Sequence, residues 1–176
     1  MNKKILLSIL MLSAVLLATP YISMVHATKP TSVLFGVALP TVQVLYNEFR
    51  QDGPNWVEHD GLQAQLIGDI VGTMTSDARW VIQHWVGPVQ DPYMLQVVHS
   101  TGHIVITVDP ATIDGKTGTL TILFNQDVPT TLAGTWVIIG GTGDLKSLHG
   151  LGTWAIPGFV NGVPCQVFEG QVHFDP

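Results

Sequence analysis

From residue 28 onward the chain consists of short runs rich in Val, Ile, Thr and Trp, broken by Gly, Asn, Asp and Pro. That is the signature of strands joined by turns, and helical periodicity is nearly absent. Candidate strands are Ser32–Ala38, Trp56–His59, Leu62–Thr75, Arg79–Val86, Tyr93–Val108, Gly118–Gln126, Thr135–Ile139, Gly152–Ile156 and Cys165–Phe174. Val42–Gln51 fits either a short helix or a strand. With no strand–helix–strand spacing, the pattern predicts an antiparallel sandwich or a closed barrel, not a parallel sheet. Closure is the more attractive because it removes edges that would otherwise pair with other chains.

Alternation is clearest at Thr119–Phe124, where Leu120, Ile122 and Phe124 share one side. Gly68 and Gly72 leave two positions of one long strand candidate without a side chain, as a bend or a close strand approach requires. Gly102 fits the same role, or Ser100-Thr101-Gly102 is a turn dividing its run. The stretch Gly134–Trp154 reads as strand, compact loop, strand. Gly141 and Gly143 can supply positive φ, Asp144–Leu148 a single helical turn, and Gly150 a left-handed stop. Gly-Thr-Trp occurs at both ends of the stretch, which suggests matching positions on two neighbouring strands.

The beginning of the chain differs. Lys3 and Lys4 precede an uncharged run from Ile5 to Ala27 that includes Pro20 and ends in Val25-His26-Ala27, matching a secretory signal. Two outcomes fit. Cleavage after Ala27 is favoured because Pro20, Ser23 and His26 weaken a continuous membrane helix, and an uncleaved anchor over residues 5–27 is the alternative. Either way residues 28–176, a single domain, are expected outside the cytoplasm. Charged residues make up only 11% of the 176, and the formal net charge is −6, which argues against a nucleic-acid partner. The lone cysteine, Cys165, excludes an intramolecular disulfide and reads as a small buried hydrophobe.

Several runs carry a family resemblance: Trp136-Val-Ile-Ile followed by Gly-Thr-Gly-Asp-Leu-Lys-Ser-Leu-His-Gly-Leu-Gly, Gly68-Asp-Ile-Val-Gly-Thr, Gly115-Lys-Thr-Gly-Thr-Leu, and Phe168-Glu-Gly-Gln-Val-His-Phe-Asp-Pro. In order and spacing, from about Trp56 to Pro176, the chain resembles the small prokaryotic members of the allene oxide cyclase-like barrel group, distantly dirigent-like. The resemblance implies an all-β, closed antiparallel barrel of about eight strands, following the N-terminal signal helix, with an interior suited to apolar small molecules. It carries over no catalytic residues, because the matching motifs are turns and strand glycines. Pro40–Pro54 departs from the compact pattern.

Familiar motifs fail on inspection. A phosphate-binding loop ending at Gly115-Lys116-Thr117 would need glycine at position 110, which is Pro110, and a dinucleotide fingerprint at Gly141-Thr142-Gly143 would need glycine at Lys146. The histidines His59, His84, His99, His103, His149 and His173 show no dense ligand spacing, so neither metal nor cofactor is expected, although His84, His99 and His103 could converge across a ladder. Glu58 and Asp69 are further carboxylates of interest. Glu169, Gln171 and His173 form a polar row on the last strand. Facing inward it could hold a ligand; facing outward, the favoured orientation, it leaves Phe168, Val172 and Phe174 to the core. Trp136 and Trp154 read as core, whereas Trp80 and Trp85 could line a pocket. The candidate ligand contacts are therefore Trp80, Trp85, Glu169 and His173.

These observations predict an exported barrel that binds a small apolar ligand or presents an extracytoplasmic binding surface. A cyclase- or isomerase-type enzyme and a structural cell-envelope protein are the alternatives. Association into homo-oligomers is expected only by analogy with other barrels.

Overall fold

The structure, a computed structural model, describes residues 28–83, 99–128 and 133–176. Within these residues nine antiparallel strands form a single sheet: β1 (Thr31–Ala38), β2 (Gln43–Asp52), β3 (Asn55–Gly68), β4 (Ile70–Gln83), β5 (His99–Ile113), β6 (Lys116–Val128), β7 (Ala133–Gly141), β8 (Leu148–Val160) and β9 (Val163–Phe174). Sequential neighbours pair from β2 through to β9, and β1 joins β9 to β3, closing eight strands into a barrel with β2 as an extra strand. The residues around Pro40 that depart from the compact pattern therefore lead into an added strand.

One edge of β3 serves two partners. Its last residues pair with β1 (Leu66 with Val37, Gly68 with Phe35), while Asn55–Gln63 pair with β2. Between β1 and β2 the chain jogs through a 3-10 turn at Leu39–Thr41. Thr41 pins the jog: its hydroxyl donates to the Ala38 carbonyl at 2.7 Å and accepts from the Gln65 amide at 2.9 Å. Asp69 secures the closure next door, since its carboxylate accepts from the Leu34 amide at 2.7 Å and its own amide donates to the Leu34 carbonyl at 2.9 Å. Gly68 has φ +107°, and a Cβ there would strike the Leu34 carbonyl oxygen, so the close approach depends on glycine.

Strand boundaries differ from the sequence reading where glycine stays inside a strand. β3 runs unbroken through Asp60-Gly61, and the turn falls at Gly68–Asp69 instead. Gly61 is kept in the strand by the Tyr46 ring, which occupies the space a Cβ would need. Val42–Gln51 resolves in favour of a strand, β2. Gly102 lies within β5, where the Trp80 ring covers it. Gly72 accompanies a bulge between β4 and β5. Gly143 has φ +60° and leads the one-turn helix Gly143–Leu145, but Gly141 and Gly150 are strand residues without positive φ. The proposed signal segment 1–27, His84 and Trp85 lie outside the described residues.

The repeated Gly-Thr-Trp forms a reciprocal lock. In the β7–β8 register Gly134 pairs with Trp154 and Trp136 with Gly152, so each indole lies over the other strand's glycine. Both N–H groups are satisfied by the wall: Trp136 donates to the carbonyls of Thr153 and Glu169 at 3.1 Å, and Trp154 to that of Asn125 at 3.3 Å. Phe35 stacks on Phe168 with ring centroids 4.9 Å apart and meets Trp136 edge-on. With Leu66, Ile106, Leu120 and Ile122 these residues fill the middle of the barrel, which is a packed core and not a channel.

Candidate functional site: an acidic end of the barrel interior

Strand alternation carries two carboxylates into the barrel. On β3, Glu58 and Asp60 share the face of Ala64 and Leu66, both core residues. Glu58 is 6% exposed and Asp60 5%, and one oxygen of each, Glu58 Oε1 and Asp60 Oδ1, is buried with no hydrogen-bond partner. Trp80 of β4 stands opposite Glu58, packs on the core and donates its N–H to Asp60, while its ring lies over Gly102 of β5. Asn47, paired with Asp60 across β2, hydrogen bonds to Glu58. The extra strand thus forms one wall of this end.

Burial has a chemical consequence. It disfavours the charged carboxylate, and the neighbouring Asp60 charge adds to it, so the Glu58 pKa is pushed up from 4.5 to about 7; the Asn47 hydrogen bond opposes this only in part. Burial raises Asp60 too, against the hydrogen bond from Trp80 and the charge of His59. Among the described residues no lysine or arginine relieves the pair. Residues 28–176 contain five, Lys29, Arg50, Arg79, Lys116 and Lys146, and all are exposed.

The outer surface of the same wall is also polar, yet its groups are paired. Asp77 lies 3.4 Å from His59 Nε2 and accepts from the Tyr46 hydroxyl at 3.1 Å. Slight burial raises its pKa, but these two hydrogen bonds outweigh it and hold Asp77 below its ordinary value. Tyr46 is raised by desolvation and by its bond to that carboxylate.

Glu169 and His173 face outward on β9, not into the barrel. They border a shallow outer groove of about 1030 Å³ across β1, β7, β8 and β9, whose floor includes Gly150, Gly152 and Gly170 and whose flank carries the exposed Leu151. His173 stacks on His149 with ring centroids 5.4 Å apart, and Asp175 lies 2.9 Å from His149 Nε2 and 3.5 Å from His173 Nε2. Among the described residues no three His, Cys, Asp or Glu side chains are placed to hold a metal. Of the four sequence candidates, then, Trp80 reaches the interior, Glu169 and His173 lie on the opposite surface of the wall, and Trp85 is outside the described residues.

Asp60 was missed because a break expected between His59 and Leu62 placed it in a turn. Reading Glu58, Asp60, Ala64 and Leu66 as one strand would have revealed two acids on a core face.

No protein-family pattern matches the chain, and no curated protein is a significant match. Among solved structures, the chain is similar to a protein of unknown function of the DUF3224 family from Shewanella oneidensis MR-1. The TM-score is 0.54 at 15% identity, covering 84% of this chain and 99% of that one. The likeness shows a shared barrel fold.

Proposed function

We propose that this is an exported small-molecule-binding barrel whose ligand enters at the Glu58–Asp60 end, and that it is a distant relative of the allene oxide cyclase-like barrels. The observation that carries the binding reading is the pair of buried, unpartnered carboxylate oxygens beside Trp80. A buried polar atom without a partner costs stability, and such atoms in a native fold call for a role. A filled middle and a polar end suit a ligand with an apolar body and one polar group. The signal-like residues 1–27 and the closed eight-stranded barrel support export and kinship respectively.

A second reading, a cyclase- or isomerase-type enzyme, is favoured by one observation: a carboxylic acid whose pKa is about 7 is matched to general acid–base work. Native mass spectrometry separates the two. A retained ligand of unchanged mass supports binding, whereas conversion of that ligand on incubation supports catalysis. The site itself is tested with N-phenyl-1-naphthylamine, a neutral apolar dye. Saturable fluorescence enhancement that survives Leu151→Glu in the outer groove and changes in Glu58→Gln/Asp60→Asn supports the interior; the reverse places binding on the groove.

A further inference from the structure

We infer that the Glu58–Asp60 end recognises an organic cation, a small amine whose ammonium bridges the two carboxylates against the Trp80 ring; this rests on the interior binding proposed above. Three observations carry it. Glu58 Oε1 and Asp60 Oδ1 are buried acceptors without donors, so the ligand must bring N–H or O–H groups. Two carboxylates on one strand face, with every lysine and arginine of residues 28–176 exposed, leave that charge without a lysine or arginine partner among the described residues. An indole adjoins them, and tryptophan is the best aromatic partner for a cation.

The alternative of a neutral alcohol, with its single O–H, would satisfy one of the two acceptors and not the charge. An ammonium satisfies both, since it has three donors and a full positive charge. The apolar remainder of the molecule would lie toward Trp80 and the core beneath it. Among the described residues the titratable neighbour within the barrel is Asp60; His59 and Asp77 act on Asp60 from the outer side, and Trp80, Asn47 and Gly102 contribute no charge from β4, β2 and β5. An arriving ammonium therefore replaces the proton that Glu58 holds near neutrality, and binding releases that proton.

The experiment compares 2-phenylethylamine with 2-phenylethanol, which has the same body without the charge. The Trp80 indole N–H resonance, assigned by its loss in Trp80→Phe, reports occupancy of the site. The expected result is an amine affinity at least tenfold above that of the alcohol. The preference should disappear in Glu58→Gln/Asp60→Asn. Calorimetry at pH 6 in two buffers of different ionisation enthalpy should show proton release on amine binding, falling away by pH 8.5. Equal affinities, or a preference that survives the double substitution, would overturn the cation inference while leaving interior binding intact. A Trp80 resonance that moves with neither compound overturns both. A resonance that calcium alone shifts, and that the amine cannot restore, replaces the amine with a metal ion.

Discussion

The acidic end of the interior and the outer groove are built from similar side chains with opposite outcomes. At the groove's edge Asp175 is half exposed and lies beside the imidazoles of His149 and His173, so its charge has both water and partners. Inside, among the described residues, Glu58 and Asp60 have neither a lysine or arginine partner nor a full set of donors. Residue type therefore says little about which carboxylate is perturbed; the side of the wall on which alternation places it says much more. Behind the groove stands Trp136, buried inside while its N–H holds the carbonyls of Thr153 and Glu169, both residues of the groove.

The largest effect is expected from breaking that partition. Trp136→Ala should cost about 3–5 kcal/mol in urea unfolding, from lost burial and the cavity left behind. The groove resonances should shift while that of the Trp80 indole stays in place. A Trp80 shift of equal size would show that the two regions are one mechanical unit.

Glu58→Gln should act in the opposite direction and depend on pH. The folded pKa of about 7 lies above the ordinary 4.5, so the native state binds the extra proton. The stability this contributes to the wild type is fully present below pH 4.5 and is lost as pH rises through 7. At pH 8 the glutamine variant should be the more stable, by at most about 3.5 kcal/mol, since one pKa unit is worth about 1.4 kcal/mol. At pH 4 the difference should vanish. Glu169→Gln, on the exposed side, should stay within about 0.5 kcal/mol at both pH values. Parallel pH profiles for wild type and Glu58→Gln would remove the burial argument.

The barrel was legible in the sequence because its signals are local: β-branched runs, turn residues and the Gly-Thr-Trp repeat, which did fall on paired strands. The acid pair was not, because Gly61 looked like a turn. Only a ring from another strand, Tyr46, makes a glycine at that position suit a continuous strand, and such a contact has no local signature. For the same reason Gly102 gave no hint that Trp80 lies across it. Trp80 packs on the core beside the acid pair, whereas Glu169 and His173 take the outward face that the alternation of the last strand favours, with Phe168 and Val172 inside.

A smaller effect lies in the loop beside the groove. Gly143→Val should destabilise by about 1–3 kcal/mol, because φ is +60° there and a Cβ would come within 2.9 Å of the Thr117 carbonyl oxygen. Thermal melting of the variant checks it. An unchanged midpoint would mean that the loop can rebuild without disturbing the strands that flank the groove.

Asp175→Asn should give the smallest change and is the sharpest test of how little the exposed charges contribute. The substitution removes the carboxylate facing His149 and His173, but both ion pairs are open to water, where such contacts are worth about 0–1 kcal/mol and are screened by salt. The strand end keeps other anchors: the Asp175 amide donates to the Ser147 carbonyl at 2.9 Å, and the Phe174 amide and carbonyl both bond the Thr28 hydroxyl. The expected loss is under about 0.5 kcal/mol at low salt and disappears at high salt. A drop above about 1 kcal/mol that persists in high salt would mean that the His149–Asp175–His173 cluster is not solvent-screened. The contrast between a paired outer surface and an unpaired interior would then fail on its outer side.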